Sequence, residues 1–196
     1  IAFVKDYDLW LYDSETGEEK QLTFGGTEEI MNGRTDWVYP EELGQRDAFW
    51  WSPDGSMIAY LQFDQRAVYK YPIIHEIDTE GRERTPAFEA MLEEQRYPKA
   101  GEDNPTVKLF VVDIESAEST EVETNSSGDV YITKILWLPD SREVTFQRLN
   151  RFQNRLELKA ANPRTGSVRN ILVEEEPCFV RLHSHMNFLS DGERFT

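Results

Sequence analysis

The chain repeats itself, and this repetition limits its possible folds more than any other feature. Three segments share an aromatic strand, an Asp-containing turn and an apolar strand. They are Trp50-Trp51-Ser52-Pro53-Asp54-Gly55 before Met57-Ile58-Ala59-Tyr60, Leu136-Trp137-Leu138-Pro139-Asp140-Ser141 before Val144-Thr145-Phe146, and Asn187-Phe188-Leu189-Ser190-Asp191-Gly192 before Phe195. Asp and Gly tolerate tight-turn backbone angles, so each element reads as a hairpin. A second pattern of alternating strands interleaves with the first. Residues 8–13 run into 20–23, residues 108–113 into 119–122, and residues 155–160 into 168–172. Joined, the two patterns make a repeated unit of four antiparallel strands, which is the blade of a β-propeller.

The fold class is therefore all-β, a partial propeller with about two complete blades and two incomplete ones, and residues 1–196 read as part of one propeller domain. Residues 1–23 end one blade, 47–124 form a blade with a long insertion over 64–106, 130–173 form a compact blade, and 186–196 begin another. Residues 24–46 read as a loop insertion. A β-sandwich could use the same hairpins, but repetition of one unit argues for the propeller. Such a set of blades cannot close a ring and leaves blade faces open, so the chain is expected to be a truncated piece, a proteolytic fragment or part of a larger assembly. Within the long insertion, Phe88, Met91 and Leu92 have helical spacing and predict a short helix over 87–96, with a packing stripe.

The charge balance excludes one class of partner. Asp and Glu total 37 against 21 Lys and Arg, a net charge of −16. Phosphate recognition needs a basic face, so nucleic acid is not expected, whereas an acidic surface attracts amines. Cys178 stands alone, so no internal disulfide is possible, and its neighbours Phe179 and Val180 predict burial. No apolar run reaches membrane-spanning length. No Gly-x-Ser-x-Gly elbow, phosphate loop or zinc motif occurs, so no catalytic residue, metal or cofactor is expected in this chain. On a strand, His183 and His185 would face one side, yet two imidazoles do not make a metal site. Glu174-Glu175-Glu176 reads as a solvated turn between blades, and Asn125-Ser126-Ser127 fits a glycosylation acceptor pattern.

Three stretches carry a family resemblance. Asp36-Trp37-Val38-Tyr39-Pro40-Glu41-Glu42, followed by Trp50-Trp51-Ser52-Pro53-Asp54-Gly55, resembles the double-glutamate motif of dipeptidyl peptidase IV and its bacterial relatives. Tyr97-Pro98-Lys99-Ala100-Gly101, Asn104-Pro105-Thr106-Val107 and Val111-Val112-Asp113 are similar to a second stretch of that family, in the same order. Phe146-Gln147-Arg148-Leu149-Asn150-Arg151-Phe152-Gln153-Asn154 resembles a third. Pro40 departs from the pattern, since many members carry an acidic residue or Gln there; Pro can still start a short helix.

The resemblance implies a serine exopeptidase that releases dipeptides from free amino termini, preferring Pro or Ala second. Its triad would lie in a C-terminal α/β-hydrolase domain outside this chain, and the chain alone would be inactive. Glu41 and Glu42 would grip the α-ammonium of the peptide substrate. Arg34 and Asp36 read as a local pair shaping the loop, and Trp37 and Tyr39 as residues that pack it on the blade or line the cavity. The resemblance further implies a periplasmic or extracellular parent, and it admits a homodimer. Two other readings stay open: the propeller of a prolyl tripeptidyl or acylaminoacyl peptidase, against which the Glu pair counts, and a non-catalytic interaction scaffold.

Overall fold

A computed structural model describes residues 1–74, 92–125, 129–189 and 194–196. The first sheet joins β1 (Ala2–Lys5), β2 (Asp8–Tyr12) and β3 (Glu19–Gln21) in that order. Next come β4 (Ile30–Asn32), a one-turn helix α1 (Val38–Glu42), β5 (Phe49–Trp51) and β6 (Met57–Asp64). A hairpin of β7 (Lys70–Ile74) and β8 (Leu92–Arg96) follows, then β9 (Thr106–Asp113) and β10 (Ser119–Glu121). The second blade has the order β10-β9-β6-β4, with β5 also on β6. The third blade is β11 (Val130–Trp137), β12 (Val144–Asn150), β13 (Arg155–Ala161) and β14 (Val168–Glu175), each paired antiparallel with the next. A bridge between Phe188 and Phe195 follows.

Strand β6 explains how the blades stack. Successive side chains on a strand point to opposite faces. Met57, Ala59, Leu61 and Phe63 join one core with Val107, Leu109 and Val111 of β9 and with Ile132, Trp137, Val144 and Phe146 of the third blade. Ile58 and Tyr60 face the other way, into a core with Leu9, Leu22 and Val112. The second blade is thus covered on both faces, which is why Met57-Ile58-Ala59-Tyr60-Leu61 is continuously apolar rather than alternating.

Polar ties at the turns fix the stacking. The Trp137 indole donates to the Trp50 carbonyl at 3.0 Å, and the Asp54 N–H donates to Ser141 Oγ at 3.1 Å. Asp54 organises its own turn by accepting from Ser52 Oγ, Ser56 N–H and Ser56 Oγ, and these bonds hold its carboxyl at about 2, below the usual range.

Several expectations are corrected. The segment 24–46 is not all loop, because β4 pairs with the end of β6. The helix expected over 87–96 lies outside the described residues up to 91, and its described remainder is strand β8, paired with β7. Glu174 and Glu175 are not in a turn but end β14, beside His183 and Arg155 respectively. Cys178 is exposed rather than buried, since only Val180 of its segment turns inward.

The hairpin after β13 meets the second blade at Gly166. Its φ is +72°, and an added Cβ would sit 2.1 Å from the Glu121 carbonyl oxygen, which is backbone and cannot yield cheaply. The Gly166 carbonyl accepts the Glu123 N–H at 2.9 Å. Gly166→Ala is therefore expected to destabilise the fold by at least about 2 kcal/mol. Thermal unfolding checks this, and an unchanged melting temperature contradicts it.

Candidate functional site

The inner edge of the second blade is split. Strands β4 and β5 both pair with β6, and the chain between them leaves the sheet. Leu61 brackets the departure: its carbonyl accepts the Gly33 N–H at 2.9 Å, and its own N–H donates to the Ala48 carbonyl at 2.9 Å. Gly33 makes the exit turn at φ +73°, against the Leu9 side chain. The residue before it is also fixed. Asn32 Nδ2 donates at 2.8 Å to the buried Asp8 carboxylate, which further accepts from Thr23 Oγ1, the Gly26 N–H and Gln21 Nε2. Four donors hold that charge without a cation.

Helix α1 forms at the far end of this excursion. Asp36 Oδ1, one residue before the N-cap Trp37, accepts the Tyr39 N–H at 3.1 Å and so satisfies a free donor of the first turn. Pro40 falls in the first turn, where its missing N–H breaks no intrahelical bond. Gly44, at φ +60°, stops the helix after one turn. Val38, Tyr39 and Leu43 turn inward, while Glu41 and Glu42 are exposed.

Tyr39 carries most of the anchoring. It is 2% exposed, its ring meets Phe63 edge-on at 4.7 Å, and its Oη accepts the Ile132 N–H at 2.9 Å. Phe63 belongs to β6 and Ile132 to β11, so one side chain ties α1 to two blades. Trp37 packs edge-on against Tyr97 at 4.4 Å. Of the two roles open to these aromatics, Tyr39 packs, and Trp37 both packs and lines a cleft.

That cleft has a volume of about 470 Å³, and its walls include Trp37, Glu42, Tyr97, Asn104, Tyr131 and Arg151. Arg151 is already committed, to Asp129 at 2.7 Å and the Glu102 carbonyl at 2.7 Å. Asn104 donates to the Tyr131 hydroxyl at 2.9 Å. Glu41 does not line the cleft. Among the described residues neither Glu41 nor Glu42 has a hydrogen-bond or ion-pair partner, so both carboxylates are available to a cationic ligand.

A second cleft of about 240 Å³ lies past the helix end, between 44–47, Lys134–Leu136 and 183–186. Gln147, fully buried, clasps the His183 backbone there, donating to its carbonyl at 2.9 Å and accepting its N–H at 3.1 Å. His183 is not on a strand; its ring pairs with Glu174 at 2.7 Å. The described residues hold no group of three or more potential metal ligands. Sequence reasoning passed over Gln45, Thr133, Lys134 and Tyr131, which carry no motif of their own, whereas Gln147 and Arg151 lie in the Phe146–Asn154 phrase but were given no role.

The expected Arg34–Asp36 pair does not form. Arg34 lies over the Tyr7 ring, 5.6 Å from its centroid, and Asp36 is buried without a cation. Asp36 Oδ2 has no hydrogen-bond partner. Burial pushes the Asp36 carboxyl up to about 6, with the N–H groups of Tyr39 and Val38 opposing. Between about pH 4 and 6 the folded chain holds a proton that the unfolded chain has released, so stability falls as pH rises through that window. Asp36→Asn keeps an acceptor for the Tyr39 N–H and removes the buried charge. The variant is expected to be more stable than the parent at pH 7.5 by on the order of 2 kcal/mol, with the gain vanishing toward pH 4. Urea unfolding at both pH values checks this; an equal difference at both contradicts it.

The comparisons with known proteins agree in sequence and in fold. Dipeptidyl peptidase 4 of Arthroderma otae is 34% identical over 179 residues, covering 89% of this chain and 22% of that protein. Dipeptidyl peptidase 4 of Trichophyton rubrum is 36% identical over 159 residues, covering 79% of this chain and 20% of that protein. The chain thus spans about a fifth of the length of these relatives. The crystal structure of Porphyromonas gingivalis dipeptidyl peptidase 4 superposes with a TM-score of 0.82 at 28% identity, over 96% of this chain and 26% of that one. The family model of the dipeptidyl peptidase IV N-terminal region matches residues 1–196. The chain belongs to the dipeptidyl peptidase IV N-terminal region family, and its antiparallel blades are part of that region's β-propeller.

Proposed function

We propose that this chain is the substrate-gripping part of a serine exopeptidase that releases dipeptides from peptides with a free amino terminus. Glu41 and Glu42 bind the substrate's α-ammonium. The observation that carries this reading is the pair of exposed carboxylates, without partners among the described residues, on a helix whose inner face is locked by Tyr39. An ammonium has three donors, and carboxylates accept them as charge-assisted bonds. Adjacent residues on a helix diverge by about 100°. The two side chains can therefore approach one ammonium from different sides, with Glu42 on the cleft wall.

Anchoring the terminus also sets the cutting register. Two extended residues span roughly 7 Å, so a nucleophile at fixed distance meets only the bond after the second residue. Such a grip rejects acylated termini, which bring no charge and leave the carboxylates unpaired. The nucleophile and its triad belong to a C-terminal α/β-hydrolase domain of the full-length protein. The proposed preference for Pro or Ala as the second residue follows from the family resemblance.

In the full-length protein, Glu41→Gln and Glu42→Gln are each expected to weaken transition-state binding of a Gly-Pro reporter by about 2–5 kcal/mol, with folding nearly intact. Steady-state kinetics measure the loss in kcat/KM, and circular dichroism checks the fold. Cleavage by both variants at the parent rate contradicts the assignment.

A further inference from the structure

Three consecutive residues of the next blade hold the helix that carries the Glu pair. The Ile132 N–H donates to Tyr39 Oη at 2.9 Å, at the helix start. Thr133 Oγ1 donates to Gln45 Oε1 at 2.8 Å, and the Lys134 N–H donates to the same oxygen at 2.9 Å, just past the helix end. Lys134 Nζ reaches the Leu43 carbonyl at 3.4 Å. Glu41 and Glu42 lie between these two attachments.

A β-bulge makes this possible. The β11–β12 register shifts between Thr133 and Leu136, and Lys134 sits at φ +51°. Bulges re-aim groups away from the regular ladder, and a left-handed non-glycine residue persists only where its surroundings hold it. Here the holding group is Gln45. Its residue is buried and its oxygen is shared by two donors, so losing either loosens the hold of the bulge on the helix end. Thr133 is fully buried and lines neither cleft, so it cannot touch a bound peptide itself.

We propose that Thr133 is a positioning residue for the Glu pair: through Gln45 its hydroxyl sets where the C-terminal end of α1, and with it the Glu42 carboxylate, stands. This rests on the ammonium-binding reading of Glu41 and Glu42. It also makes the packing of one blade against the next a determinant of substrate affinity.

Two substitutions separate this role from packing. Thr133→Val keeps the side chain's shape and loses the hydroxyl, whereas Thr133→Ser keeps the hydroxyl and loses a methyl. In the full-length protein, with a Gly-Pro p-nitroanilide reporter, Thr133→Val is expected to raise KM about fivefold, the worth of one ordinary hydrogen bond, with kcat within about twofold. Thr133→Ser is expected to keep KM within about twofold of the parent. If Thr133→Val does not fold by circular dichroism, Gln45→Met removes the same bond from its other end, together with the one from the Lys134 N–H, and is expected to raise KM at least about fivefold. A silent valine variant, or a serine variant as impaired as the valine one, overturns the proposal. Glu41→Gln and Glu42→Gln are measured alongside. If they lose activity while Thr133→Val is silent, only the positioning role falls; if they match the parent, both readings fall.

Discussion

The Tyr39 hydroxyl accepts the Ile132 N–H while the Tyr39 ring rests on Phe63, and the geometry of the whole excursion follows from that one buried side chain. A single helical turn has too few internal bonds to be stable alone. Just past its end, the N–H groups of Leu43 and Gln45 donate back to the Tyr39 carbonyl. The turn persists because its inner face is part of the core between two blades. Losing the hydroxyl would leave a buried N–H without a partner, a penalty of about 1–3 kcal/mol. Removing the ring would open a cavity where the blades meet. Helix α1 is thus as rigid as the blade stacking, although it lies on an excursion from a sheet edge.

Several carboxylates of this acidic chain are satisfied by the fold itself, and Glu41 and Glu42 are not among them. Asp8 is buried and satisfied by four donors. Glu157 is surrounded by Arg148, Arg155 and Lys159, at 3.0, 3.1 and 3.3 Å. Asp54 is consumed by its own turn. Asp36 is desolvated, and its raised pKa leaves it partly protonated near pH 6. Among the described residues the pair on α1 has no such partner, yet it stands on a firmly held backbone. Preorganised, unsatisfied charge is what a site for a cationic group requires, because the cost of arranging the acceptors is met in folding rather than in binding.

Strand chemistry was readily legible in the residue pattern. The aromatic strand, Asp turn and apolar strand recur because each blade must turn tightly and bury both faces, and Met57–Asp64 shows both demands at once. What escaped were features decided by contacts distant in sequence. Leu92-Glu93-Glu94-Gln95-Arg96 consists of good helix formers, yet it pairs with Lys70–Ile74 as a strand, because a cross-strand partner overrides weak intrinsic propensity. Strand β4 is too short for any periodicity to show. At the site, the Asp36–Glu42 motif marked the helix, but its support came from Thr133 and Lys134, about ninety residues away and with no Gly to betray the bulge. The Arg34–Asp36 pairing failed for a related reason: the Tyr7 ring, from another blade, takes the guanidinium.

The central claim is that the unpaired carboxylates of Glu41 and Glu42 receive the amino terminus of a bound peptide. The direct measurement is a crystal structure of the full-length protein with a bound X-Pro dipeptide product. The account places the dipeptide's ammonium nitrogen at about 2.7–2.9 Å from a carboxylate oxygen of each residue, the spacing of charge-assisted bonds. An ordered dipeptide whose ammonium contacts neither residue, with both side chains still turned to solvent, would contradict it.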